Sequence, residues 1–267
     1  MHVIEPELSM MPWTTPPLDW PQFLSSAVLV LVRMSGLMIL SPLFSSTAIA
    51  PRIKAGFVIA NTFLLAPVVA TLPHARFALD MAGLLGELAV GLTFGFSLSL
   101  LFEALMFAGQ LLGMEFSFSL VNLMDPNSNI QTPVLGQLLN WMGLLVLIGA
   151  GLDRTLLAAV MRSFAVVPVG QAVMTAKTGA TLASMTGGIF AAGLQLAAPV
   201  IAAALTVEVV IGLVGRISPQ LPGMVISIPL KTLASYAVLI GSLAVWPAWI
   251  ERHFTTLLDQ AGKLVGP

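Results

Sequence analysis

MAGLLGELAVGLTFGFSLSLLFEALMFAGQLLGMEFSFSLVNLM, residues 81–124, carries just three charged side chains, Glu87, Glu103 and Glu115, in ~44 positions. Drawn as one straight helix it would be ~66 Å long, about twice the hydrocarbon core of a bilayer. It must therefore bend, break or leave the membrane. The break is expected late, because MEFSFSLVN at 114–122 alternates large apolar residues with acidic, small or polar ones at period two. That pattern suits an extended segment, which is tolerable at membrane depth where protein or a water-filled cavity satisfies its backbone.

The chain then turns polar over MDPNSNIQTPVLGQ at 124–137, with neither Lys nor Arg. Asp125 is placed to cap or tighten a turn, Pro126 and Pro133 punctuate it, and PVLGQ, ending at Gln137, starts the next helix.

Working outward, further apolar runs extend over 23–44, 57–72, 134–152, 182–207 and 224–250, with 81–101 and 104–124 read as two more. Most reach the ~20 residues a helix needs to cross a bilayer. They stay apolar on every side rather than alternating in segments of about ten, so backbone satisfaction in lipid requires helices and not a barrel. The expected fold is all-α and integral to the membrane, with about six to seven apolar helices in hairpins. Turn signals at SPLFSSTAIAPRIK, LPHARFALD and GRISPQLPG fall where spans should end. Residues 1–22 are read as a polar N-terminal extension, 23–250 as one membrane domain and 251–267 as a short C-terminal tail.

Composition agrees: 57% of the 267 residues are hydrophobic and 9% charged, where a soluble domain carries about a quarter charged. A net charge of -1 without a basic run points away from nucleic acid and from a polybasic lipid anchor. The absence of cysteine removes disulfides, thiolate catalysis and cysteine metal sites. The acidic, Pro-rich start is the wrong leader for a signal peptide, and Pro51 directly after AIA at 48–50 disfavours cleavage there, so the first run is read as a retained span. Lys and Arg are spread almost evenly, and the positive-inside rule gives a weak vote for a non-cytoplasmic N-terminus and a cytoplasmic Arg52 to Lys54 loop.

Charges inside the apolar runs are the first functional candidates, because each costs a few kcal/mol at the bilayer centre and normally faces a partner or a cavity. They are Arg33, Glu87, Glu103, Glu115 and Glu208. On an ideal helix Glu87 and Glu103 are ~160° apart and Glu103 and Glu115 ~120°, so they do not line one stripe. Separate acids pairing at helix or subunit contacts account for them better than a proton relay. Gly91 and Gly95, and Gly109 and Gly113, have GxxxG spacing, which marks close helix contacts in lipid. His2, His74 and His253 lack metal-site spacing, and neither a GxSxG elbow nor a Walker loop is present. No catalytic, metal or cofactor role is expected.

Arg33 followed by SGLMILSPLF, APRIKAGF at 50–57, GQLLGMEFSFSLVNLMDPNSNIQTPVLGQLL, and GRISPQLPGMVISIPLK at 215–231 resemble, in order, the FliR family of flagellar and type III secretion export-gate membrane proteins. The likeness runs over nearly the whole chain. It implies a non-enzymatic subunit of the bacterial inner membrane and flagellar basal body, assembled with P-type and Q-type gate proteins and adjoining the B-type substrate-switch protein. Unfolded flagellar subunits would pass through the channel. Some hairpins would be lifted out of the bilayer plane within the assembled gate. The resemblance maps a channel plug to Gly113, Met114, Phe116 and Phe118, with the polar run lining a cavity between subunits. It also makes GRISPQLPG a hairpin loop, with Arg216, Pro219 and Lys231 facing the membrane surface and the B-type partner. The acidic extension at 1–22 has no counterpart in this mapping. The competing reading is a secondary transporter or ion channel with broken helices and buried acids.

Overall fold

The computed structural model describes residues 20–45, 50–72, 77–116, 134–172, 176–218, 220 and 223–265. All the regular elements among them are helices: α1 (Trp20–Leu40), α2 (Pro42–Ser45), α3 (Pro51–Ala70), α4 (Met81–Glu115), α5 (Val134–Gly149), α6 (Leu152–Val166), α7 (Ala176–Ile217), α8 (Gly223–Ser242) and α9 (Trp246–Val265). By length and composition four of these can cross a membrane, or up to six segments if each of two bent pairs is one span.

The centre of the fold is α4, whose 35 residues form one continuous helix. Asp80 starts it: the Gly83 N–H donates to the Asp80 carboxylate at 3.2 Å, satisfying an amide that the first turn leaves free. The two runs read as 81–101 and 104–124 are thus joined through Glu103. A charged side chain on an open face interrupts hydropathy without interrupting the backbone ladder. At ~1.5 Å per residue α4 is ~52 Å long, still well beyond the bilayer core. The helix ends with Glu115, capped by Phe116, whose N–H donates to the Leu112 carbonyl at 3.0 Å.

Around α4 pack α1, α5, α7 and α9, while α3 lies against α1 and α8 folds back on α7 as a hairpin. The core runs along this axis through Leu29, Leu37, Phe94, Leu98, Leu101, Leu105, Leu112, Leu147, Phe164 and Phe254, all buried. Hydroxyls on α4 turn inward and bond back to their own helix, Thr93 to the Ala89 carbonyl at 2.9 Å and Ser97 to that of Thr93 at 2.8 Å, so neither is left bare in an apolar core.

The runs at 134–152 and 224–250 are both broken. α5 and α6 meet at 70°, and the chain turns at Gly151, whose φ of 68° lies in the left-handed region that favours glycine. α8 and α9 meet at 61°. Residues 251–265, set apart in sequence as the start of a tail, continue α9 instead. Its buried Trp246, Ile250, Phe254, Leu257, Leu258 and Ala261 recur every three to four positions and face the core. The opposite, charged face of the helix is what lowers its hydropathy.

Candidate functional site

Arg33, on α1, is fully buried, and so is its partner Glu87, on α4; the Nε–H donates to Glu87 Oε2 at 2.6 Å. Removing both charges from water costs several kcal/mol each unless their remaining hydrogen-bonding capacity is also met. Here it is met. Nη1 donates to the Ser163 hydroxyl at 2.9 Å, Nη2 to the Val167 carbonyl at 3.2 Å, and the Gly170 N–H donates to Glu87 Oε1 at 2.9 Å. The Phe164 ring covers the guanidinium, with Cζ 4.0 Å from its centroid, adding a cation–π contact. One residue pair therefore pins together α1, α4, the end of α6 and the turn after it. Structural partners on every one of its nitrogens and carboxylate oxygens make it a fastener.

Beside this pin, α1 and α4 cross closely because glycines face each other's backbone. A Cβ on Gly91 would overlap the Arg33 carbonyl, one on Gly95 would stand 2.5 Å from the Leu37 carbonyl oxygen, and one on Gly36 would stand 2.7 Å from that of Leu88. Farther along α4, a Cβ on Gly109 would overlap the backbone of Gly136 on α5. Gly113, the second member of that GxxxG pair, faces open space.

At the far end of α4 the acids behave differently. Lys231, within α8, forms an ion pair with Glu115 at 2.9 Å and another with Glu208 of α7. The Phe116 ring stacks on Tyr236 of α8, centroids 4.4 Å apart, and Phe116 is buried. The last turn of α4 is thereby tied to the α7–α8 hairpin by one cation and one aromatic pair. Met114, next to these, is 59% exposed. Gln137 lies half-buried in the first turn of α5, and Arg216 is exposed in the last turn of α7. Lys231 lies inside α8 rather than at the rim of a loop, and its ammonium group is turned toward acids of its own chain. Glu103 is exposed on α4 without an ion pair among the described residues. Phe118, Asp125, Pro126, Pro133 and Pro219 lie outside the described residues.

The partners Ser163, Gly170, Tyr236 and Gly136 are not legible in the sequence. Ser163 is 130 positions from Arg33, and nothing in a serine at a helix end announces that contact. Among the described residues no group of three or more His, Asp or Glu gathers to hold a metal ion.

The model for bacterial export proteins, family 1, matches residues 24–257, nearly the whole chain. The chain belongs to that family. Among the relatives of this export-family chain is the flagellar biosynthetic protein FliR of Escherichia coli (strain K12), 25% identical over 92% of this chain and 95% of the relative. FliR of Bacillus subtilis (strain 168) is 29% identical over the same shares, 92% and 95%. FliR of Caulobacter vibrioides is 28% identical over 87% of this chain and 94% of the relative. The resemblance read from the four motifs is thus the family's, and the matched span contains the Arg33 pin, the glycine crossings and the Lys231 cluster of this export protein.

Proposed function

We propose that this chain is a structural subunit of the flagellar type III protein export apparatus, a multi-pass protein of the bacterial inner membrane that helps form and seal the channel for unfolded flagellar subunits. The observation that supports it above the rest is the family match over residues 24–257, carried by a chain with four to six apolar spans. Residues 23–250, with the remainder of α9 packed into the same core, would act as one export-gate domain. P-type and Q-type gate proteins and the B-type switch protein would be its neighbours.

The geometry fits such a role. A channel that seals needs a firmly held element behind the seal, and α4 is held by the Arg33–Glu87 pin, two glycine crossings and the clamp on its last turn. Under this reading the plug comprises Gly113 and Met114 on the helix, Phe116 as the anchor held on Tyr236, and Phe118. Arg216 and Pro219 would meet the B-type partner. Lys231 would hold its own hairpin in place for that contact.

The test is to tag the C-terminus in the native cell, extract in mild detergent and identify copurifying proteins by mass spectrometry. Recovery with P-type and Q-type gate proteins is expected. Recovery alone or as a homo-oligomer overturns the reading and leaves a secondary transporter with broken helices, for which the 70° and 61° bends would supply the interruptions.

A further inference from the structure

We infer that the open face of α4 around Glu103 is the seat of a membrane helix from a different protein, and that this helix brings a Lys or Arg to the Glu103 carboxylate. The inference rests on the proposed function, in which the chain works within a hetero-oligomeric membrane assembly.

Ser99, Glu103, Gln110 and Met114 fall within ~60° of one another on α4, at 100° per residue. Glu103, Gln110 and Met114 are exposed and Ser99 is half-buried, its hydroxyl donating back to the Phe96 carbonyl at 2.7 Å. The rest of this half of α4 is buried or half-buried. α5 packs on one side, at Gly109, and α7 on the other, where a Cβ on Gly193 would stand 2.6 Å from Phe107 and 3.0 Å from the Ala104 carbonyl oxygen. Both flanking helices carry large exposed apolar side chains, Trp141 and Leu145 on α5, Phe190 and Leu194 on α7. The strip is therefore polar at its centre and apolar at its sides.

Charge decides what covers it. Glu115 and Glu208 share Lys231 and Glu87 holds Arg33, but Glu103 has no cation among the described residues. Acyl chains would leave a carboxylate unsolvated at a cost of a few kcal/mol. A second copy docked by the same strip would set Glu103 against Glu103. An aqueous surface would not be walled by Trp141, Leu145, Phe190 and Leu194. An apolar helix with one basic side chain satisfies both the walls and the charge.

The test uses the full complex isolated through the C-terminal tag. A photo-crosslinking amino acid placed at Gln110, about two turns from Glu103, should capture a different membrane protein, and the linked peptide should lie within about three helical turns of a Lys or Arg. Glu103→Lys should lower recovery of that protein by about tenfold or more, and Glu103→Gln by less, while the thermal stability of the isolated chain stays unchanged. Reversing the partner's cation to Glu should restore recovery with Glu103→Lys. Crosslinks to lipid alone or to a second copy, or recovery unaffected by Glu103→Lys, overturn the inference. Failure of the wild-type chain to bring down any export-gate protein is a different result, and it is the functional reading that it sinks.

Discussion

Arg33 shows what a single charge does in this molecule. Its cost in an apolar helix is plain from sequence, and so is that of Glu87, but the 54 positions between them hide the pairing. Once paired, with a partner at each nitrogen and carboxylate oxygen, the two charges hold three helices in one arrangement. Cutting one of them leaves the other buried and bare. Glu87→Ala should therefore destabilise the chain by about 3–5 kcal/mol, whereas the double change Arg33→Met with Glu87→Leu should recover most of that loss. Thermal unfolding of the purified protein in detergent checks both, and a double variant no better than Glu87→Ala would show that the pair contributes more than mutual neutralisation. Phe116 has a similar lesson. The family resemblance maps it to the plug, yet its ring is buried on Tyr236, so Phe116→Ala should loosen the last turn of α4 as well as leak ions. Hydrogen exchange at residues 112–116 together with membrane permeability separates the two effects.

At the scale of the element, glycine spacing marks candidate contacts without telling which are used. Gly91, Gly95 and Gly109 lie where another backbone passes; Gly113 does not. Gly91→Leu should force α1 from α4 and cost about 1–3 kcal/mol or more, since overpacking a closed crossing displaces backbone. Gly113→Ala should leave stability unchanged or raise it by up to ~1 kcal/mol, because open space accepts the methyl and alanine is the better helix former. Equal losses at the two positions, read from unfolding midpoints, would contradict the assigned crossing. The same scale explains why α4 reads as two runs. Hydropathy dips at Glu103 and the runs divide there, but hydrogen bonding along a helix is indifferent to an acid on its outer face. Residues 251–265 mislead in the opposite direction, since an amphipathic helix has low average hydropathy even when one face is wholly buried.

For the whole molecule, the outer surface is the salient feature. In its most apolar window α7 is 17% buried and α3 28%, against 67% for α4. Phe190, Leu205, Val209 and Leu213 of α7 stand exposed, as do Phe63 and Leu64 of α3. Lipid covers part of such a surface; helices of other subunits would cover the rest under the proposed function. Produced without its neighbours, the chain should accumulate several-fold less than in cells that make the whole export apparatus, because uncovered helices are cleared by proteases. Immunoblotting of membrane fractions with and without the other gate proteins measures this, and equal amounts would argue for a self-sufficient membrane protein.

The class of this protein was legible in the order of its residues alone. Long apolar runs force helices in lipid, where every backbone group must bond within its own segment, and four ordered motifs named the family. That order also located the costly charges and the small residues, since residue type and place within an apolar run set those costs. Which charge meets which, which glycines lie at crossings and which acid is left open emerged with the folded arrangement of the helices. Those depend on contacts between residues far apart in the chain, 54 positions for Arg33 and Glu87 and 130 for Arg33 and Ser163, and local periodicity carries no information about which turn of one helix comes to rest against which turn of another.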